Sequence, residues 1–334
     1  MNLFRIENTM TDNPFQPIYD QCNSGNSQEK FDALPSFPRL IDIEMTNTCN
    51  FRCLMCPTGN FSQAREKGFM SEEIFYKILD DIRPHKTPLR FIRWGEPFSH
   101  PHILEFFKAA KEADILLHVN TNGSMLPEET MDFLVDLPLD ALKFSFQGVD
   151  RKSYSEMRNI DFFDELLVTI RKLREKRGNK AFPFILTSTT VTYETNEMIE
   201  NFKAEMVKIS DDVNVGRTNF DYLDINAVRL RPHEVEMLRR LKDAESLIKV
   251  HPECPEVYDK LSINWDGTVS ACCWDSDNEM VIGDVKEQSL AEIWNSDKLN
   301  EYRGVLAEMR HDDLSLCKDC YDTHGLLNPG IQET

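Results

Sequence analysis

The sequence lacks any segment of the kind that directs a chain into or across a membrane. The N-terminus, MNLFRIENTMTDNPF, has no basic start followed by the apolar stretch of a secretory signal. No apolar run approaches the roughly 18 residues that a membrane span requires. We therefore predict a cytoplasmic protein with no membrane partner.

Positive charge is outnumbered by negative charge. The chain has 38 Lys and Arg against 57 Asp and Glu, for a formal net charge of −19. Nucleic-acid sites hold phosphates with clustered Lys and Arg, so this composition predicts no nucleic-acid partner. The 334 residues, with 41% hydrophobic and 28% charged content, are typical of a soluble globular protein with one large or two ordinary domains.

Cysteine, by contrast, is abundant and clustered. Nine cysteines in a chain predicted to be cytoplasmic are not expected to form disulfides. One cluster is Cys49, Cys53 and Cys56, and the other is Cys254, Cys272, Cys273, Cys317 and Cys320. Clustered reduced cysteines are typical of metal or redox sites. Cys22 stands alone, and we interpret it as an incidental thiol.

Hydrophobic periodicity predicts alternating strands and helices between residues 39 and 216. The predicted strands are 39–45, 89–94, 115–123, 141–148, 182–193 and 212–216, and the predicted helices are 71–82, 103–113, 128–137, 162–178 and 197–209. Repeated βα units predict a parallel sheet, either doubly wound or curved into a partial or full barrel. Sites in such folds lie at the carboxyl ends of the strands, and the first three cysteines follow the first strand.

The alternation of strands and helices stops on both sides of this core. We predict an N-terminal arm over 1–37, the βα core over 38–230, and a linker helix with a small C-terminal domain over 231–334. The last range contains a predicted helix at 231–248, a hairpin at 261–275 with its turn at Asp266-Gly267, and a helix at 289–309. So little apolar pattern predicts that the C-terminal domain needs a metal or cluster to hold it together.

The spacing CxxxCxxC of the first cluster is compatible with zinc or iron–sulfur. Structural zinc takes four ligands, and the nearest histidine to these three thiols is His85. Three thiolates fit a cubane cluster in which one iron stays open for a substrate or cofactor.

A CxxxCxxC motif after the first strand of a (βα)6 pattern resembles the radical S-adenosylmethionine (radical SAM) superfamily. The resemblance implies an α/β fold with a partial (βα)6 TIM-like barrel, and a [4Fe–4S] cluster on Cys49, Cys53 and Cys56. It also implies that the open iron binds S-adenosylmethionine. One-electron reduction, from a flavodoxin- or ferredoxin-type donor, then yields a 5′-deoxyadenosyl radical that abstracts hydrogen from the substrate.

Other segments resemble the turns with which the superfamily binds S-adenosylmethionine. WGEP at 94–97 resembles the Gly-Gly-Glu-Pro motif, with Trp94 in place of the first Gly, and NTNG at 120–123 and SFQG at 145–148 resemble two further turns. The implied cofactor-binding residues are Met55, Gly95, Glu96, Pro97, Asn122, Ser145, Gln147, Arg158, Thr189 and Val215. Two alternatives stay open: Gly95 and Gly148 as ordinary turn glycines, and Arg158 as a surface charge.

The second cluster holds a complete set of four thiols, Cys254, Cys272, Cys317 and Cys320, for which ligand chemistry alone leaves zinc and [4Fe–4S] open. Their pattern resembles the SPASM/twitch extension of radical SAM enzymes. Residues 321–334 contain no further Cys. The resemblance therefore implies the twitch form with one auxiliary [4Fe–4S] cluster, similar to 2-deoxy-scyllo-inosamine dehydrogenase.

Cys273 is left over, and we interpret it either as a small buried apolar residue or as a catalytic hydrogen donor to a substrate radical. The leading hypothesis is two-electron oxidation of a small polar substrate (a sugar, an aminocyclitol or a related natural-product intermediate), helped by the auxiliary cluster. The alternatives are epimerisation with Cys273 as donor, modification of a peptide, and a non-catalytic metal-cluster regulator.

Overall fold

The structure is a computed structural model, and it describes residues 12–218, 220, 224–243, 248–249, 254, 256–318, 320 and 324–325. The strands are β1 Leu40–Ile43, β2 Leu89–Phe91, β3 Leu117–Thr121, β4 Ala141–Ser145, β5 Phe184–Val191, β6 Asp212–Arg217, β7 Ile248–Lys249, β8 Lys260–Ile263, β9 Thr268–Ser270, β10 Val281–Asp284 and β11 His324–Gly325. The helices are α1 Gln16–Cys22, α2 Ser27–Asp32, α3 Glu72–Ile82, α4 Ile103–Glu112, α5 Glu128–Asp136, α6 Arg151–Arg158, α7 Phe163–Arg177, α8 Asn196–Met206, α9 Pro232–Asp243, α10 Leu290–Trp294 and α11 Asp297–Ala307.

Nine strands form one sheet in the order β10-β9-β8-β1-β2-β3-β4-β5-β6. Each strand from β1 to β5 pairs in parallel with the next. This confirms the six predicted strands and the α/β class, and the parallel part is a partial (βα)6 barrel. Helix α6 was not predicted. None of the helices in the described ranges is long and apolar enough to cross a membrane.

Alternation along each strand separates an outer face from an inner face. On β4, Leu142 and Phe144 are fully buried in the main apolar core, where the helices pack. Ala141 belongs instead to a second cluster with Leu40 of β1. Lys143 and Ser145 share the face of Ala141, so they point into the barrel interior. Polar groups therefore line the interior. The second cluster, which we call the apolar floor, lies at the amino-terminal ends of the strands.

Part of the range predicted as an N-terminal arm packs against that floor. Phe15 is fully buried among the first residues of β1, β4 and β5, because its ring completes their apolar cluster. Tyr19 of α1 places its hydroxyl 2.7 Å from His118 Nδ1. Cys22, interpreted as an incidental thiol, is 1% exposed. Helix α1 thus covers the amino-terminal end of the barrel.

The C-terminal range extends the same sheet. The predicted hairpin is confirmed as β8 and β9, and its turn contains Gly267 at φ +90°. The sequence did not indicate that β8 pairs in parallel with β1, nor that β10 follows. The helix predicted at 289–309 is two helices, because Ser296 accepts a hydrogen bond from Leu299 N and starts α11. Residues 244–247 of the predicted linker helix lie outside the described residues. The division into domains stays a prediction.

Candidate functional site

The loop after β1 closes tightly around Cys53. Asn60 donates to Leu54 O at 2.7 Å across the loop. A Cβ on Gly59 would lie 2.5 Å from both the nitrogen and the oxygen of Cys53, which no side chain tolerates. Sequence reasoning missed Gly59, because nothing in its spacing signals this close approach.

The sulfur atoms of the three thiols in this loop are too far apart to bind a single metal ion together. Cys49, Cys53 and Cys56 are close enough to influence one another electrostatically. Within the described residues they form no set of three ligand atoms lying within 4.8 Å of one another. Sulfurs around tetrahedral zinc lie about 3.8 Å apart. The donor set therefore fits an iron–sulfur cubane better than a single zinc ion.

Burial makes two of these thiols, those of Cys49 and Cys56, hard to ionise in the absence of iron. It raises the pKa of Cys49 to about 12 and also raises the pKa of Cys56. Thiolates are the species that bind iron, so loading the site must release protons.

The ends of β2 and β3 meet at this loop through Glu96. Its carboxylate is 2% exposed and accepts hydrogen bonds from Thr121 Oγ1 and Asn122 N, both at 2.8 Å. Burial raises its pKa. Asn122 in turn places Nδ2 3.8 Å from Cys49 Sγ. Glu96 thus fixes Asn122 beside the first cysteine, and the predicted contact of Glu96 with the cofactor's amino group stays a prediction.

Gly95 precedes Glu96 at a point where two loops touch. A Cβ there would lie 2.0 Å from Thr46 O. Pro97 is buried at the start of a short 3-10 helix, Pro97–Ser99. Backbone crowding alone thus requires glycine at position 95, whatever its contact with the cofactor.

Arg158 reaches the same cysteine loop from α6. Its Nη1 donates to Cys53 Sγ at 3.4 Å, and its Nη2 donates to Ser145 O. The residue is 9% exposed, so the interpretation as a surface charge is wrong. Burial alone would lower the pKa of Arg158, but the Cys53 sulfur raises it above its usual value. A permanent cation therefore faces the central thiol of the set.

Of the remaining predicted residues, Met55 lies in the loop after β1, and the others lie toward the ends of β4, β5 and β6. Gln147 is 1% exposed, donates to Thr218 Oγ1 and accepts from Thr190 Oγ1. Thr189 Oγ1 donates to Gly148 O, and Thr189 lies opposite Val215 where β5 pairs with β6. The buried amide of Gln147 is thus satisfied by protein partners, which removes the burial cost expected from the sequence. Met55 is half-buried against the apolar cluster that contains Met157, Phe220 and Leu238.

The fold also gathers the four thiols of the second set. The charge of Cys254 acts on Cys272 and Cys317, and Cys320 acts on Cys254 and Cys317. Burial raises the pKa of Cys254 to about 12. Within the described residues, no three of these sulfurs lie within 4.8 Å of one another, so this set also fits a polynuclear cluster.

Hydrogen bonds join the two cysteine loops directly. Ala64 N donates to Asp277 Oδ1 at 2.7 Å, and Arg65 Nε donates to Ser276 O at 2.8 Å. The guanidinium of Arg65 also binds both carboxylate oxygens of Glu44, at 2.9 and 2.7 Å. The first loop is therefore anchored both to its own strand and to the loop that follows Cys272.

A second connection explains the departure from the Gly-Gly-Glu-Pro motif. Trp94, which replaces the first glycine, packs edge-on against Trp274 with ring centroids 6.1 Å apart. Arg93 donates to Asp275 O at 2.8 Å. The bulky residue thus packs against the loop after Cys272.

Cys273 lies in a polar cluster, so its interpretation as a buried apolar residue is wrong. Its sulfur and one carboxylate oxygen each of Asp42 and Glu256 lie within 4.8 Å of one another. Arg90 binds both oxygens of Asp42, and Lys260 binds Glu256. This cluster borders the barrel interior.

An open parallel α/β barrel with three thiols beyond its first strand and four more in an added hairpin module defines a cysteine-ligated iron–sulfur protein. The model of the Radical SAM superfamily matches residues 43–206, and that of SPASM, an iron-sulfur cluster-binding domain, matches residues 254–321. The chain belongs to the radical SAM superfamily and carries a SPASM domain. This membership implies S-adenosylmethionine, the [4Fe–4S] cluster that binds it and an auxiliary cluster as cofactors.

Known proteins similar to this chain differ in their activities. The tungsten-containing aldehyde ferredoxin oxidoreductase cofactor-modifying protein of Pyrococcus furiosus is 24% identical over 84% of this chain and 87% of its own length. The structure of BtrN in complex with AdoMet and 2-DOIA has a TM-score of 0.53 at 17% identity, over 85% of this chain and 92% of that one. Streptococcus suis SuiB bound to precursor peptide SuiA has a TM-score of 0.61 at 18% identity, over 82% and 68%. These likenesses establish the fold and leave the substrate open.

Proposed function

We propose that this radical SAM enzyme oxidises a small polar substrate by two electrons, with the auxiliary cluster as an electron acceptor. The observation that carries the proposal is the direct connection between the two cysteine loops, through Ala64, Arg65 and Arg93. A complete four-thiol set leaves no open iron, which suits electron transfer better than binding of S-adenosylmethionine.

The residues have the following proposed roles. Cys49, Cys53 and Cys56 hold the first cluster, and the cofactor-binding set named above surrounds it. When bound there, S-adenosylmethionine and the reduced cluster supply a 5′-deoxyadenosyl radical that removes a hydrogen atom from a carbinol carbon. The buried carboxylates beside Cys273, those of Asp42 and Glu256, are the proposed acceptors of the hydroxyl proton. The flavodoxin- or ferredoxin-type donor and the cytoplasmic location remain predictions.

Epimerisation is the second candidate, and the position of Cys273 favours it. The thiol lies beside two carboxylates at the border of the interior, where it could return a hydrogen atom to a substrate radical. Oxidation gives a product two hydrogens lighter than the substrate, whereas epimerisation leaves the mass unchanged.

Anaerobic reconstitution tests the proposal. We expect about eight irons per chain, from two [4Fe–4S] clusters. With dithionite and S-adenosylmethionine, the protein should form 5′-deoxyadenosine, and Cys53→Ala should abolish it. About four irons together with zinc would contradict the auxiliary cluster. 5′-Deoxyadenosine formation by Cys53→Ala would contradict the first site.

Two cysteine variants separate the candidates. Cys273→Ala should retain an oxidation product. Loss of an epimer while 5′-deoxyadenosine still forms would instead establish Cys273 as the donor. Cys22→Ala is the matched control, because it removes the one thiol that belongs to neither cysteine set and has no proposed role. A modified peptide as the product would overturn the small-substrate assignment.

A further inference from the structure

Three basic side chains line the inner face of neighbouring barrel strands. Arg90 of β2 and His118 of β3 are paired in register, and Lys143 follows on β4. The charges of Lys143 and Arg90 both act on His118, and Arg90 acts on Lys143, so the three groups lie near one another on this inner face. This interior is basic although the whole chain carries a formal charge of −19.

The charges in this part of the interior do not balance. Arg90 is paired with Asp42, and Lys260 is paired with Glu256. Burial, followed by the charges of Lys143 and Arg90, holds the pKa of His118 well below its usual value, so the imidazole is neutral at pH 7. Among the described residues, no ion pair or side-chain hydrogen bond involves the ammonium group of Lys143. One positive charge is therefore left over, and it belongs to Lys143.

It is unfavourable to keep the Lys143 ammonium group partly buried without a counterion. Lys143 is half-buried, and burial together with the repulsion from Arg90 lowers its pKa to about 8. A buried charge is ordinarily paired, because the unpaired charge loses hydration without recovering it elsewhere. An anion brought to Lys143 would remove this deficit.

Residues beside Lys143 are in turn linked to the first cysteine set and to Cys273. On the same face of β4, two residues further, the carbonyl of Ser145 binds Arg158, which contacts Cys53. On the other side, the charge of Cys273 acts on Arg90. A substrate bound against this inner face of the sheet would have Lys143 within reach.

We infer that Lys143 binds an anionic group, a carboxylate or a phosphate, of the substrate. The inference rests on the proposed function, because it assigns the substrate to the interior between the cysteine sets. It selects among the substrates considered above: a carboxylated or phosphorylated sugar fits, whereas an aminocyclitol would bring its ammonium group against Lys143 and Arg90.

Selective chemical labelling tests the inference without turnover. The anaerobically reconstituted protein, without reductant, is treated at pH 8 with formaldehyde and cyanoborohydride, and methylation of each lysine is followed by mass spectrometry. The probes are inorganic phosphate and acetate, which are small enough to enter any cavity, with methylammonium chloride as the cation and chloride to hold ionic strength constant. At an anion concentration ten times Kd, labelling of Lys143 should slow about tenfold.

Lys152 is the internal reference, because its side chain is 80% exposed on α6. Protection of Lys143 by phosphate alone or by acetate alone identifies the anion, and protection by both supports the shared chemistry. No protection by either anion, equal protection of Lys152, or protection by methylammonium overturns the inference.

Thermal unfolding provides a second readout. Phosphate or acetate should raise the Tm of the wild type by about 2 °C at ten times Kd. The shift should disappear in Lys143→Met and persist in Lys143→Arg and in the surface control Lys152→Met. An undiminished shift in Lys143→Met contradicts the inference. Formation of 5′-deoxyadenosine by the wild type is measured separately, so failure of the proposed function is distinguishable from failure of this assignment.

Discussion

Arg158 Nη1 lies 3.4 Å from Cys53 Sγ, and the same guanidinium donates to Ser145 O. One side chain from α6 therefore joins the cysteine loop after β1 to the end of β4. Because the guanidinium stays protonated at any physiological pH, its charge is always present beside the first cluster.

Replacing Arg158 should make the first cluster harder to reduce. A cation beside a cluster favours its more negative, reduced form, so Arg158→Gln should shift the first cluster's reduction potential to a more negative value. The measurement is a redox titration followed by electron paramagnetic resonance. Arg151→Gln on the same helix is the control, because Arg151 is 63% exposed and pairs with Asp161. An unchanged potential would show that the Arg158 charge is screened from the cluster.

Gly59→Ala should abolish the first cluster and spare the second. The new Cβ would meet the backbone of Cys53 at 2.5 Å, so the loop must open. We expect iron to fall from about eight to about four per chain, with no 5′-deoxyadenosine. Gly304→Ala is the matched control, because its Cβ would approach the nearest atom, Phe31 Cζ, only to 3.9 Å. Full iron content in Gly59→Ala would show that the loop tolerates a Cβ at this position.

Arg65→Met should destabilise the protein strongly. It leaves the Glu44 carboxylate, whose side chain is fully buried, without its cation. Breaking a buried ion pair from one side costs about 3–5 kcal/mol in the free energy of unfolding. Urea denaturation of the cluster-free protein measures this loss, and Arg65→Met combined with Glu44→Met should recover much of it. Arg83→Met, from an exposed pair with Asp80, should change stability by less than about 1 kcal/mol.

Stability should fall at mildly acidic pH because of His118. Burial, then Lys143 and Arg90, lowers its pKa well below 6.5 in the folded state, whereas the unfolded chain titrates near 6.5. Its contribution is therefore present above pH 6.5 and is lost as pH falls below that value, by at most about 1.4 kcal/mol per pH unit. Urea denaturation at several pH values should show a smaller acid loss for His118→Gln. An equal loss in both proteins would place the acid sensitivity elsewhere.

Local patterns in the sequence were sufficient to predict the parallel strands and most of the helices of the barrel. Helix α3 has its Ser71 cap and its buried Phe75, Ile78, Leu79 and Ile82 where the periodicity predicts them, because capping and amphipathicity act within a few residues. The turn at Gly267 was likewise predicted from two adjacent residues. The α6 helix was missed, since its eight residues contain few apolar side chains.

The long-range part of the site could not be predicted in the same way. The contacts of Arg158 with Cys53 and of Arg65 with Ser276 join residues more than one hundred positions apart, and neither arginine stands in a periodic pattern. The cysteine spacings predicted which thiols belong together because ligand chemistry restricts their number. Lys143 gave no sequence signal, because only the fold shows that its neighbours are already paired or neutral.

The pairing of β8 with β1 also dictates an order of events during synthesis. Arg39 and Asp259, which border the two strands, are 220 residues apart and bind each other at 2.8 Å. Until the ribosome has released β8, one edge of β1 has no partner, and an open strand edge is prone to pair with other chains. Closing so long a loop is a slow step in folding. The nascent barrel therefore emerges with its first strand exposed, and chaperone protection would be most useful in that interval.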